Sequence, residues 1–291
     1  MARTALTPSD AVEHTIASLT TTATLAPQSI EKTAAFMWQL AGYLERGRGI
    51  RSIAAVDHAV VAAFCVAPTR QGAPPSVAVM HLRRSSARLL YRTTRRLGHD
   101  VGDPTIDVRL PPRCSAPFRP LEDDEVELAR AMALWSHDDV RLTTAWALCE
   151  ATARTSELPW IRASDVDRAA GTVRLQGSSK AEPRTARLTS WGLVQLERRL
   201  ERVGCSEEYL LGAGPSRDGR SQSSCVMTVS ATLKRAGLHR EPDLRPSSVA
   251  AWAGRRAFDE AGRIEDAARA LGMASLDRTA RFIGWSWTEQ E

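Results

Sequence analysis

Lysine is nearly absent: Lys32, Lys180 and Lys234 are the only three among 39 basic residues, so positive charge here means arginine. A composition rich in Arg, Ala and Pro raises that count by itself. The net charge of +5 therefore says little, and only local clustering points to nucleic acid. Tyrosine is equally scarce, at Tyr43, Tyr91 and Tyr209. No apolar run approaches the ~20 residues of a membrane span; the best stretch, 53–67, is broken by Asp57 and His58. Cys65, Cys114, Cys149, Cys205 and Cys225 are scattered, odd in number and never in a CxxC pair, which speaks against a disulfide framework or a structural zinc and fits a reducing cytoplasm. Residues 1–26, rich in Ser, Thr and Ala, lack the apolar segment of a secretory signal and are expected to form a flexible start.

What is present reads mainly as helix. Ile30, Met37, Leu40 and Leu44 give helical spacing from Pro27 to Gly47. A short helix follows Asp57, and a longer one runs from about Ser76 to Leu97. Gly102, Pro104, Pro111, Pro112, Pro117 and Pro120 then mark an extended linker. The expected division is 1–26 flexible, 27–112 a helical domain and 113–291 a larger domain. In the larger domain Asp123, Asp124 and Glu125 open a helix, and their charge suits its N-terminal dipole better than a metal. A helix from Asp139 to Ala153 precedes a hairpin of Thr172–Leu175 and Thr185–Leu188. Helices follow at 191–202, 226–235, 246–261, 264–270 and 276–283. Trp38, Trp146 and Trp252 lie in apolar helical patterns and read as core. Trp285 and Trp287 read as packing on this domain or docking on a neighbour.

At ~100° per residue, Arg84, Arg88, Arg92 and Arg95 share an arc of roughly 80°, opposite Val79, Leu82, Leu89, Leu90 and Leu97. No acidic residue lies between Ser76 and Gly98 to neutralise them. Four guanidinium groups in a row suit a duplex phosphate backbone.

The stretch Ala151-Thr-Ala-Arg-Thr-Ser-Glu-Leu158, followed by Trp160 and Ser164-Asp-Val-Asp167, resembles the first signature of the tyrosine recombinases, or phage-type integrases. The hairpin with Lys180 before Arg184-Thr-Ala-Arg-Leu188 resembles that family's lysine-bearing hairpin. Glu241-Pro-Asp-Leu-Arg245 is similar to its second signature, Ala270-Leu-Gly-Met273 to its Leu-Gly-His, and Thr279-Ala-Arg-Phe282 to the segment carrying the tyrosine nucleophile. The resemblance spans about residues 27–285. It implies a mainly α fold: a helical core-binding (SAM-like) DNA-binding domain followed by a recombinase-type catalytic domain with a small β-sheet, together clamping a duplex.

Carried over residue by residue, the resemblance makes Arg154 and Arg245 clamps for the non-bridging phosphate oxygens and Lys180 a proton donor to the leaving oxygen. The attacking group is missing, because Phe282 has no hydroxyl. Pro242 and Met273 stand at the two usual histidine positions and transfer no proton. The expectation is a cytoplasmic, nucleoid-associated protein that binds duplex DNA without cleaving it, in an accessory or regulatory role in recombination or integration. Its DNA contacts are expected at Arg84, Arg88, Arg92, Arg95 and Arg187, and its partners are duplex DNA and itself or a companion recombinase. No metal, small-molecule cofactor or membrane is expected. The alternatives are an active recombinase using a partner's tyrosine, a helix-turn-helix regulator built on Ile264–Ile283, and a protein-interaction relic.

Overall fold

The computed structural model describes residues 6–23, 25, 27–69, 71–112, 117–135, 140–204, 207–212, 214–216 and 219–286. Asp139, Trp287, Cys114 and Cys205 lie outside them. The chain forms two compact units, Met1–Ser115 and Ala116–Glu291.

In the first unit, helix α1 (Pro8–Thr22) corrects the expectation of a flexible start. Thr7 caps it by accepting from the Asp10 amide at 3.1 Å, and Pro8 supplies a preset φ for the first turn. Ala11, Val12, Thr15 and Leu19 form its buried stripe, hidden from a composition-based reading by the surrounding Ser and Thr. Helix α2 (Pro27–Gly42) runs on into a π-helical turn, Tyr43–Gly47. Its Met37, Leu40 and Ala41 face the core with Leu44, which leaves Trp38 turned outward at 41% exposure, not buried as expected. Helix α3 (His58–Val66) is capped by Asp57, whose carboxylate accepts from the Val60 amide at 2.8 Å. Helix α4 (Val77–Arg96) is capped by Ser76. Its buried stripe is Arg83, Ser86, Ala87, Leu90, Tyr91 and Thr94, one strip away from the face expected; Leu97 is exposed. Residues 101–110 are not an extended linker either. Val101, Thr105 and Val108 are buried, so this segment returns along the unit.

In the second unit, helix α5 (Asp123–Leu134) opens on its three carboxylates; Asp124 accepts from the Glu125 amide at 2.9 Å, and the other two tie down residues outside the helix. Asp123 accepts from the Trp252 indole at 2.7 Å, and Glu125 takes both terminal nitrogens of Arg119 at 2.7 Å. Helix α6 (Val140–Glu150) is buried at every position except Arg141 and carries Trp146 at the centre of the core. An antiparallel sheet of order β1-β2-β3 follows, β1 (Val166–Asp167), β2 (Thr172–Leu175) and β3 (Arg184–Arg187), with Val173 opposite Ala186. Then come α7 (Ser190–Leu200), α8 (Arg220–Arg235), α9 (Ser247–Ala261), α10 (Ile264–Leu271) and α11 (Leu276–Phe282). Helix α8 starts earlier than its apolar residues suggest, because its first turn is Arg, Ser, Gln and Ser.

Two glycines set the packing around α10. A Cβ on Gly254 of α9 would sit 2.4 Å from Leu271, so these helices touch where no larger residue fits. Gly272 (φ +62°) ends α10 in the left-handed region, and its carbonyl accepts from the Glu182 amide at 2.8 Å. The hairpin is thereby stitched to the α10–α11 turn. Among the described residues no helix is long and apolar enough to cross a membrane.

Candidate functional site

The site is built on the tight turn after α6. Thr152 adopts φ +67°, uncommon for a residue with a branched Cβ, and its hydroxyl donates to the Ala270 carbonyl at 2.7 Å. Two residues on, the Arg154 amide donates to Glu157 Oε2 at 2.8 Å. Glu157 is itself held by Arg184 of β3, whose Nη1 and Nη2 reach its two oxygens at 2.8 and 3.0 Å. The side chains of this pair are 6% and 1% exposed. Arg184 also donates to the carbonyls of Thr152 and Ala270, at 2.7 and 3.0 Å. One guanidinium thus joins the Arg154 turn, the hairpin and the end of α10.

The Arg154 side chain is left out of this network. Its Nε and Nη2 are buried and have no hydrogen-bond partner among the described residues, an expensive condition for a charged donor. Burial lowers its pKa, Glu157 opposes that shift, and the charges of Arg184 and Arg278 add to it. Its guanidinium lies 5.1 Å from the centroid of the Phe282 ring. That ring also stacks on Phe118, with centroids 5.4 Å apart. The neighbouring Pro117 carbonyl accepts from Arg245 Nη2 at 3.0 Å. A continuous chain of contacts therefore runs Arg154, Phe282, Phe118–Pro117, Arg245.

The other expected positions stand apart from that chain. Met273 is half-buried in the turn after α10, where its amide donates to Ala268, and Pro242 is exposed. Lys180 is exposed in the β2–β3 turn, and its side chain meets neither Arg154 nor any acidic partner among the described residues. Arg187 is exposed on β3 without a partner among the described residues, beside a groove of about 1150 Å³ that also includes Arg168, Trp191 and Arg256.

The arginine row on α4 needs correction as a free surface. Arg84 donates to the Val108 carbonyl at 2.9 Å, Arg88 to the Thr105 hydroxyl at 3.2 Å, and Arg95 to Gly102 and Asp103 at 3.0 and 3.1 Å. Three of the four bind the returning segment 102–108, and Arg92 alone stays exposed without a partner among the described residues. Arg83, not singled out beforehand, is buried and caps α3 through the carbonyls of Phe64 and Cys65. Glu157, Arg184 and Phe118 were equally missed. The Arg-x-x-Glu spacing was the one local signal for Glu157, whereas Arg184 and Phe118 act through contacts distant in sequence.

No protein-family model and no curated protein matches the sequence. Solved structures do match across nearly its whole length. A lambda integrase tetramer bound to a Holliday junction superposes with a TM-score of 0.74 at 16% identity, covering 99% of this chain and 81% of that one. The Tn1549 transposon integrase in complex with transposon right-end DNA gives 0.71 at 13% identity, covering 95% and 94%. Lambda integrase bound to DNA gives 0.69 at 16% identity, covering 98% and 99%. The helical architecture with its three-stranded antiparallel sheet is thus that of the tyrosine recombinase and integrase fold.

Proposed function

We propose that this protein binds duplex DNA without cutting it, as an accessory or regulatory factor in DNA recombination or integration. The observation that carries this reading is the pairing of a buried guanidinium holding unused donors, Arg154, with a ring at position 282 that bears no oxygen. Arginine forks bind phosphate oxygens whether or not a nucleophile is present. Strand cleavage through a phosphotyrosyl bond needs a phenolic oxygen. The one tyrosine of the second unit, Tyr209, has its hydroxyl engaged by Arg162 at 3.0 Å.

On this reading Arg154 and Arg245 receive a backbone phosphate and Lys180 reaches it only if the hairpin turn moves. Arg187 and Arg92 add backbone contacts. Residues 27–112 act as a core-binding domain and 113–291 as the phosphate-binding domain. A second copy or a companion recombinase is the natural protein partner, since the solved relatives named above include a tetramer on branched DNA.

The test is a nicked suicide duplex. Salt-steep binding with no protein–DNA adduct is expected. An adduct on the wild-type chain would overturn the reading in favour of an active enzyme. Phe282→Tyr then measures how much of the cleavage apparatus persists, since an adduct formed only by that variant leaves the nucleophile as the missing part.

A further inference from the structure

Residues 117–121 cross the proposed phosphate site along a line of independent ties. The Pro117 carbonyl takes up Arg245 Nη2 at 3.0 Å. Phe118 stacks on Phe282, the ring that Arg154 also contacts. The Arg119 amide donates to the Asp243 carbonyl at 3.2 Å, and its side chain pairs with Glu125 at 2.7 Å and Asp243 at 3.3 Å. The Leu121 amide donates to the Ser248 carbonyl at 3.4 Å, and its side chain is buried. Asp243, Arg245 and Ser248 lie in or beside the segment that opens α9, so the crossing segment is fastened to the element that carries the second clamp arginine.

We propose that residues 117–121 form a strap that satisfies Arg245 with its own carbonyl and covers Phe282, so that a DNA phosphate engages Arg154 and Arg245 only when the strap lifts. The inference rests on the phosphate-binding reading of those two arginines and adds its regulation. A carbonyl is the weaker acceptor and a phosphate oxygen the stronger one, so displacement is downhill for Arg245 once the strap's other ties are broken. The aromatic stack is worth ~0.5–1.5 kcal/mol beyond area burial, small enough for a charged ligand to overcome. The strap also accounts for a phenylalanine at 282, since an apolar ring stacks on Phe118 with no hydroxyl to satisfy.

The test uses the full chain. Amide hydrogen exchange at Arg119 and Leu121 is followed in free protein and at saturating duplex, and duplex affinity is measured for wild type, Phe118→Ala and Arg119→Gln. Arg119 is partly exposed and outside the buried core, so Arg119→Gln, which removes only the side-chain ties to Glu125 and Asp243, is the milder change should the Phe118 variant be unstable. Faster exchange of both amides on duplex binding, with about tenfold tighter binding by the strap variants (~1.4 kcal/mol), is expected. Amides as protected in the complex as in free protein, or unchanged variant affinities, would end the strap proposal while leaving DNA binding intact. If no duplex binds at any salt, the DNA reading fails, and inorganic phosphate followed by phosphorus NMR decides the strap alone. Binding to the variants but not to wild type supports it, and equal binding to all refutes it.

Discussion

Replacing Glu157 by glutamine should cost far more than loss of a surface ion pair. The carboxylate meets three donors, Arg184 Nη1 at 2.8 Å, Arg184 Nη2 at 3.0 Å and the Arg154 amide at 2.8 Å. A glutamine of the same shape offers one oxygen and one NH2, so at least one donor faces another donor and the buried Arg184 charge loses its counter-ion. Breaking a buried pair from one side typically costs ~3–5 kcal/mol, a large share of an ordinary domain's ~5–15 kcal/mol. At a urea slope of ~2 kcal/mol per M, the midpoint should fall by on the order of 2 M. Intrinsic fluorescence is a suitable probe, because every tryptophan except Trp38 lies in the second unit. Arg184→Met should cost a similar amount, and the double variant should cost less than the two together, by ~1.5 kcal/mol or more. A Glu157→Gln midpoint within 0.5 M of wild type (roughly 1 kcal/mol at that slope) would refute the claim that this pair carries the turn.

Gly254→Ala should destabilise the second unit by ~1–3 kcal/mol, since its Cβ would meet Leu271 at 2.4 Å; a melt unchanged within a degree would show that α10 can slide. In the first unit, burial pushes the Cys65 thiol up from 9.0 to about 11. The folded state therefore holds its proton longer than the unfolded chain. The stabilisation is complete below pH 9 and is lost as the pH rises through about 11, with a slope of about 1 kcal/mol per pH unit in between. Denaturation of wild type and Cys65→Ala at pH 8 and 10.5 reads this directly, and parallel losses would discount it. Asp103→Asn should loosen the 102–108 segment by about 1 kcal/mol, visible as faster amide exchange at Thr105, whose amide and hydroxyl both donate to that carboxylate at 3.0 and 2.6 Å.

The elements most legible beforehand were those whose signals are local. Asp57 and Ser76 cap α3 and α4 where their side chains announced it, and α9 ends at Ala261 as expected, before Gly262 in the left-handed region. The hairpin came within one residue, Arg184–Arg187 against Thr185–Leu188. What escaped depends on residues far apart in the chain. Trp38 looked like core because apolar residues surround it in sequence, yet it lies off the face shared by Met37, Ala41 and Leu44. The α4 arginines looked free because their acceptors are mostly backbone carbonyls, which no side-chain pattern records. At the candidate site, Arg154 could be picked from its neighbours in sequence. Arg184 could not, since its acceptors at 152, 157 and 270 meet only in the folded unit.

Because Arg84, Arg88 and Arg95 tether a loop, reversing their charge is a poor way to ask whether α4 touches DNA. Glutamate at those positions would push carboxylates against carbonyl oxygens and the Asp103 side chain, and the loop would detach whether or not a ligand had ever been bound there. A lost gel shift would then record damage to the probe itself. Arg92, which has no partner among the described residues, is the residue on that helix where a sign change can be interpreted.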